Sequence, residues 1–262
     1  MTNGLRRILW QIGPPVALFA VVIAAWHAAT VAFEIKPYLL PGPVRVANAV
    51  ADNTAQFRTA MFVTGQGALC GFAISLVAGT LIGFAFSQSR IVRSSCYPYA
   101  IFLQTVPIVA IAPLIVVWFG YGLKSVTIVS FIVSLFPVIT NATEGLTVVD
   151  PNLLDFFRLH NATRRQVLWK LRLPNAVPHL ITAARTASGL AVIGAIVGDF
   201  FVGGYGSERF GLGYLIRQTA DQLKTDELFA AVIAATLLGV VVFAAVNVTG
   251  GWVLRRWYGH RS

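Results

Sequence analysis

The chain has 262 residues, of which 56% are hydrophobic and only 11% charged, with a mean hydropathy of +0.73. A soluble domain keeps about a quarter of its residues charged, so an ordinary water-soluble fold is excluded. The formal charge of +10 is spread over the segments between apolar runs, which argues against a nucleic-acid role.

Those runs define the architecture. About 20 apolar helical residues cross a hydrocarbon core of about 30 Å. Lipid offers no partner to backbone polar groups, so a spanning segment must be a helix or a barrel strand. The runs here are too long for strands. Six are present, at 8–33, 59–86, 97–119, 126–143, 180–202 and 228–254. The expected fold is an all-α membrane protein with six transmembrane helices in one transmembrane domain over 1–262. No room is left for a second, soluble domain.

Arg6 and Arg7 precede the first run, a pattern shared with secretory and twin-arginine signals. The run is long for a signal and five more spans follow, so we read it as an uncleaved first helix. Arg90 and Arg93 follow the second run, and Arg158, Arg164, Arg165, Lys170 and Arg172 lie between the fourth and fifth. Arg255, Arg256 and Arg261 follow the sixth. The alternate loops mix their bases with Glu34, Asp52, Glu208, Asp221, Asp226 and Glu227. The positive-inside rule then makes both termini and the 144–179 loop cytoplasmic. Cys70 and Cys96 lie at different depths and support neither a disulfide framework nor a metal site.

Inside the membrane, Gly67 and Gly71, Gly79 and Gly83, and Gly194 and Gly198 repeat at four-residue spacing. Such pairs let helix backbones approach closely, either within one chain or between subunits. Pro107 and Pro113 interrupt the third run, because proline removes a backbone donor and disturbs the carbonyl one turn earlier. Broken helices are tolerated where they are packed in protein or line a cavity. Gln104 and Thr105, beside Pro107, are therefore candidate pathway residues, with a simple packed kink as the other reading. Asp199 is the only acidic residue in a run, about one turn from its outer end. An intramembrane carboxylate is costly, which makes it a pathway or gate candidate unless water reaches it there.

The 144–179 loop carries the most specific local signals. Asp150-Pro151 reads as an N-cap followed by proline at the first helical position. A short helix then runs to His160, and Asn161 suits the left-handed residue that ends it. Thr163-Arg164-Arg165-Gln166 fits a capping box for a second short helix. Leu173-Pro174 is expected to stop that helix, since the residue before proline avoids helical dihedrals. The resulting helix–turn–helix exposes Phe156, Phe157 and Trp169 among basic side chains. It fits either an interfacial element touching lipid or a docking helix whose phenylalanines fill a partner's groove. Pinned between two spans, it is no reader of DNA.

At these residues the chain resembles the permease subunits of ATP-binding-cassette (ABC) importers. Their cytoplasmic signature runs Glu-Ala-Ala, three residues, Gly, nine residues, Ile, one residue, Leu-Pro. Aligned on Leu173-Pro174, the Ile position falls at Leu171, the Gly position at Asn161, and Glu-Ala-Ala at Asp155-Phe156-Phe157. Spacing is kept; the paired alanines are not, which implies a reshaped groove on the partner and a dedicated ATPase. The likeness is strongest to the nitrate/sulfonate/taurine-type branch. It extends through Leu39-Leu40-Pro41-Gly42-Pro43, Pro107 to Gly120, Asp150-Pro151, Gly194-Ala195-Ile196-Val197 and Gly211-Leu212-Gly213-Tyr214-Leu215-Ile216. Asp199 stands where such permeases often carry Glu.

The resemblance implies a pore of two permease subunits, here a homodimer in the bacterial inner membrane. It also implies ATPase subunits coupled through Asp155, Phe156, Phe157, Asn161, Thr163, Leu171, Leu173 and Pro174, and an outer substrate-binding protein that delivers a small solute. ATP and Mg would sit on the ATPase subunits, with no cofactor in this chain. The chain has no Gly-x-x-x-x-Gly-Lys-Ser/Thr phosphate loop. Gln104, Thr105, Pro107 and Asp199 are the expected pathway residues. The 203–227 segment is expected to turn helical near Leu212 and to form part of an outer gate or binding-protein contact, or else a plain connection. Thr225 is expected to cap the last span. Sulfonates, other organic anions, pyrimidines and flavins are all compatible solutes. An ion-coupled secondary transporter is the rival reading, and it asks for more intramembrane polar residues than Asp199 and a few amides.

Overall fold

The computed structural model describes residues 2–202 and 210–259. The glycine-rich start of the 203–227 segment and Arg261 lie outside them. The described residues form helices α1 (Thr2–Ala32), α2 (Pro43–Asp52), α3 (Thr54–Gln88), α4 (Arg90–Thr105), α5 (Ile108–Phe119) and α6 (Leu123–Thr147). They continue as α7 (Pro151–Leu159), α8 (Arg164–Val167), a π-helical turn (Leu168–Arg172), α9 (Leu173–Val202), α10 (Leu212–Asp221) and α11 (Thr225–Tyr258). No strand occurs among the described residues.

Five of these helices are long and apolar enough to cross a membrane, and six spans result if the bent pair α4–α5 counts as one. That pair corrects the expected third span, because its halves meet at 97°. Val106 is extended (φ −71°, ψ 126°), the conformation favoured before proline, and Pro107 becomes the N-cap of α5, whereas Pro113, expected to interrupt the same run, lies inside α5 without breaking it. The loop expected before this span is also gone. Arg90 and Arg93 lie on α4, and only Ser89 separates it from α3, its hydroxyl accepting from Val92 N at 3.3 Å.

The core is a three-helix seam in which α6 packs between α3 and α9. The glycine pairs make it, all of them within the chain. A Cβ on Gly79 would come within 2.7 Å of Val138 on α6, and one on Gly194 within 2.8 Å of the Ser130 Cα. Gly67, Gly71, Gly83 and Gly198 face α6 in the same way. Without a hydrophobic force between helices in lipid, this closeness supplies the dispersion contacts that hold them. Ser130 adds a polar clasp, its buried hydroxyl donating to Ala191 O of α9 at 2.9 Å.

Peripheral elements attach by side chains. Phe86 meets Tyr97 edge-on at 6.3 Å to hold α4 against α3, and Trp26 stacks on Phe229 at 6.3 Å to hold α1 against α11. The amphipathic α2, with Gly42 at its N-cap and Pro43 at its first position, buries Val46 and Ala49. Thr225 does not cap α11. Its hydroxyl donates to Tyr38 O at 3.0 Å, so it ties α11 to the segment after α1 instead.

Candidate functional site

Two polar arrangements lie at opposite ends of α9. At its N-terminal end, the 150–174 loop is built as its cap signals require. Asp150 Oδ1 accepts from Asn152 N at 2.9 Å, and α7 then runs from Pro151 to Leu159. Asn161 takes the left-handed conformation (φ +51°). Asn161 N donates to Arg158 O and Ala162 N to Phe157 O, both at 3.0 Å, which together form a Schellman end. Thr163 and Gln166 make the reciprocal capping box that opens α8.

One expectation fails. Leu173-Pro174 does not stop the second helix: Leu173 is helical (φ −64°, ψ −45°), and Pro174 lies inside α9. The π turn at Leu168–Arg172 absorbs the proline. It widens the chain where the ring would meet the carbonyl one turn back, and Leu173 N reaches Leu168 O instead. The loop is thus joined to α9 without a break. Asn175, which the sequence did not single out, clamps the junction through Nδ2, bonding Gly145 O at 2.9 Å and Val148 O at 2.8 Å at the end of α6.

The surface divides the expected coupling residues. Asp155, Phe156, Asn161 and Thr163 are exposed, whereas Phe157, Leu173 and Pro174 are half-buried and Leu171 is buried. The two phenylalanines therefore do not point out together. Phe156 stands outward beside His160, ring centroids 4.3 Å apart, and Leu153, Leu159 and Trp169 of the same loop are exposed as well. No residue of α7 is buried. Asp155 pairs with Arg158 at 3.0 Å in full solvent reach, a weak tie.

At the other end of α9, Asp199 is only 3% exposed. The expected access to water is not there. Thr64 Oγ1 of α3 donates to Asp199 Oδ2, and the same hydroxyl accepts from Leu212 N at 2.8 Å. The Gly213 amide also donates to the carboxylate. Leu212 and Gly213 are the first residues of α10, whose N-cap, Gly211, has no side chain to offer. The free amides of α10 are therefore capped by side chains from two other helices, with the carboxylate at the positive end of the helix. Glycine is required for this approach. A Cβ on Gly211 would strike the Asp199 carboxylate, and one on Gly213 would lie 2.6 Å from Phe200 N. The sequence signal was the missing Ser, Thr, Asp or Asn before α10.

Gln104 and Thr105 do not join Asp199. Both are exposed at the α4–α5 corner, where Thr105 Oγ1 closes the helix end on Phe102 O at 2.9 Å and Pro107 becomes the N-cap of α5. No cluster of three His, Cys, Asp or Glu side chains forms among the described residues.

Residues 74–257 match the family described as binding-protein-dependent transport system inner membrane components. The chain belongs to this family. It is 32% identical over 91% of its length to the formylaminopyrimidine transport permease ThiX of Halalkalibacterium halodurans, of which it covers 93%. It is 28% identical to the riboflavin transport permease RibX of Chloroflexus aurantiacus, covering 97% of this chain and 94% of that one. It is 24% identical to the taurine transport permease TauC of Escherichia coli, over 90% and 89% of the two chains. The fold matches a chain of the inward-facing MetNI methionine ABC transporter, with a TM-score of 0.50 at 20% identity over 74% of this chain and 95% of that one. The protein is a permease component of an ABC importer, as its resemblance to the nitrate/sulfonate/taurine branch implied.

Proposed function

We propose that this permease forms half of a homodimeric pore, with both termini and the α7–α8 loop cytoplasmic, and that a separate ATPase subunit seats on that loop. The observation that carries the reading is that Phe156, Leu159 and Trp169 are each exposed on a backbone capped at Asp150, Asn161 and Thr163. A locally capped loop with exposed apolar side chains can enter a groove in a partner at a reduced ordering cost. ATP and Mg bind to the ATPase subunits, and this chain hydrolyses nothing itself. Because α8 runs through the π turn into α9, a pull on the loop acts on one continuous rod. Asp199 sits about 40 Å along α9 from Leu173, at about 1.5 Å per residue. There it carries α10, which contributes to the outer gate or the binding-protein contact.

The solute is a small organic molecule delivered by a substrate-binding protein, the class common to the pyrimidine, riboflavin and taurine named for the relatives. Ion-coupled transport is disfavoured, because Asp199 is occupied by Thr64 and Gly213 rather than open to a pathway. Proteoliposomes test the reading. Uptake should require the ATPase, ATP and the binding protein together; uptake driven by a proton or sodium gradient through this chain alone would refute it.

A further inference from the structure

The fifth apolar run contains a cation that the permease reading leaves without a task. Arg185 lies on α9, and its buried Nε has no hydrogen-bond partner among the described residues. The Nε faces Gly250 of α11, where a Cβ would lie 3.9 Å away. Four residues further along the same face of α9 is Gly189, the start of a groove of about 560 Å³ between α9 and α11. Its walls include Val192, Ile196, Gly239 and Phe243, and Thr236 is its one polar side chain. Along α11 the groove extends from Val232 to Phe243. That is about 16 Å at 1.5 Å per residue, half of a hydrocarbon core of about 30 Å.

The depth of Arg185 is marked independently. Just beyond Gly250, α11 carries exposed Trp252 and Trp257 with Arg255 and Arg256, the Arg256 guanidinium 5.5 Å from the Trp252 ring centroid. Tryptophan and arginine together mark a membrane–water interface. Arg185 therefore lies at the hydrocarbon edge of that interface, and the groove, whose lining begins about one helical turn away at Gly189, runs on toward the bilayer centre.

We infer that the α9–α11 groove holds one anionic phospholipid, its phosphate on Arg185 and an acyl chain along Gly189, Val192 and Gly239. Charge selects this occupant over a second copy of the chain. The acidic residues of α9 and α11 are Asp199, Asp226 and Glu227, all toward the far end of these helices. A neighbouring copy of these helices brings no carboxylate to the depth of Arg185, whereas a headgroup phosphate is there in every anionic leaflet. A Cβ on Gly189 would meet nothing within 4 Å and one on Gly239 only Val192 at 3.8 Å, so no side chain of either residue fills the groove.

Native mass spectrometry of the purified full-length chain, mixed with phosphatidylglycerol or phosphatidylcholine, tests this. The wild type should retain one phosphatidylglycerol in preference to phosphatidylcholine by about fivefold, the worth of one basic side chain beside an anionic lipid. Arg185→Gln should erase the preference, Arg185→Lys should keep it, and Gly189→Phe should lower retention of both lipids. A photoreactive residue at Thr236 should give a lipid adduct. Equal retention of the two lipids by the wild type, or an unchanged preference in Arg185→Gln, would overturn the proposal. So would a chain-to-chain adduct from Thr236, or displacement of the lipid by glycerol phosphate or an alkanesulfonate.

Discussion

At the C-terminal end of α9, Asp199 is sealed from water, and its carboxylate, the Thr64 hydroxyl and the first amides of α10 satisfy one another across three helices. At the N-terminal end, the 150–174 loop satisfies its backbone locally, by caps at Asp150, Asn161 and Thr163, and leaves Phe156, Leu159 and Trp169 outside. One end uses tertiary contacts to finish a local element. The other completes its element with local contacts alone and leaves apolar side chains exposed, where we propose that a partner docks. Substitutions should therefore cost stability at the Asp199 end and coupling at the loop end.

The largest loss of stability is expected for Gly213→Val, whose branched side chain meets Phe200 N and Asp199 at distances no rotamer relieves. Overpacking costs about 1–3 kcal/mol, and a Cβ that clashes with backbone places this change at the upper end. Thermal unfolding in detergent should show a collapse of the transition, and a wild-type melt would break the contrast. Asp199→Asn comes next. It keeps the shape but loses one acceptor, leaving a buried donor unmatched at about 1–3 kcal/mol. Hydrogen exchange should quicken in α10 and stay unchanged in α7; the reverse would show that the carboxylate does not hold α10.

Smaller effects belong to the loop. Thr163→Ala removes half of the capping box, worth about 1 kcal/mol, and exchange should quicken at the start of α8 alone. Asn161→Gly relieves the left-handed backbone but adds freedom to the unfolded chain, so the two changes offset to within about 0.5 kcal/mol. A large loss there would contradict the turn assigned to Asn161.

What was legible followed from chemistry local in sequence. The caps at Asp150, Asn161 and Thr163 rest on residues two to five positions apart, and all three formed. Pro107 marked the break in the third run because its effect falls on its immediate neighbour, although the angle of 97° did not follow from it. The stop at Leu173-Pro174 failed because a π turn offers a second way to accommodate proline, and no nearby residue announces it. Asp199 was legible as a residue but not as a cap. Its partners come from α3 and α10, far away in sequence, and only the bare Gly211 N-cap hinted at them. The glycine pairs signalled close packing, and only the structure assigned all of it to α6.

The proposed docking of the ATPase subunit on the exposed side chains of α7 is tested by one paired measurement. Phe156→Asp and Asp155→Lys are placed in the permease, and both ATPase co-purification and ATP-dependent uptake are read from the same membranes. Wild-type insertion and melting are expected for both variants, with co-purification and uptake lost. Wild-type association and uptake in membranes that contain either variant would contradict it.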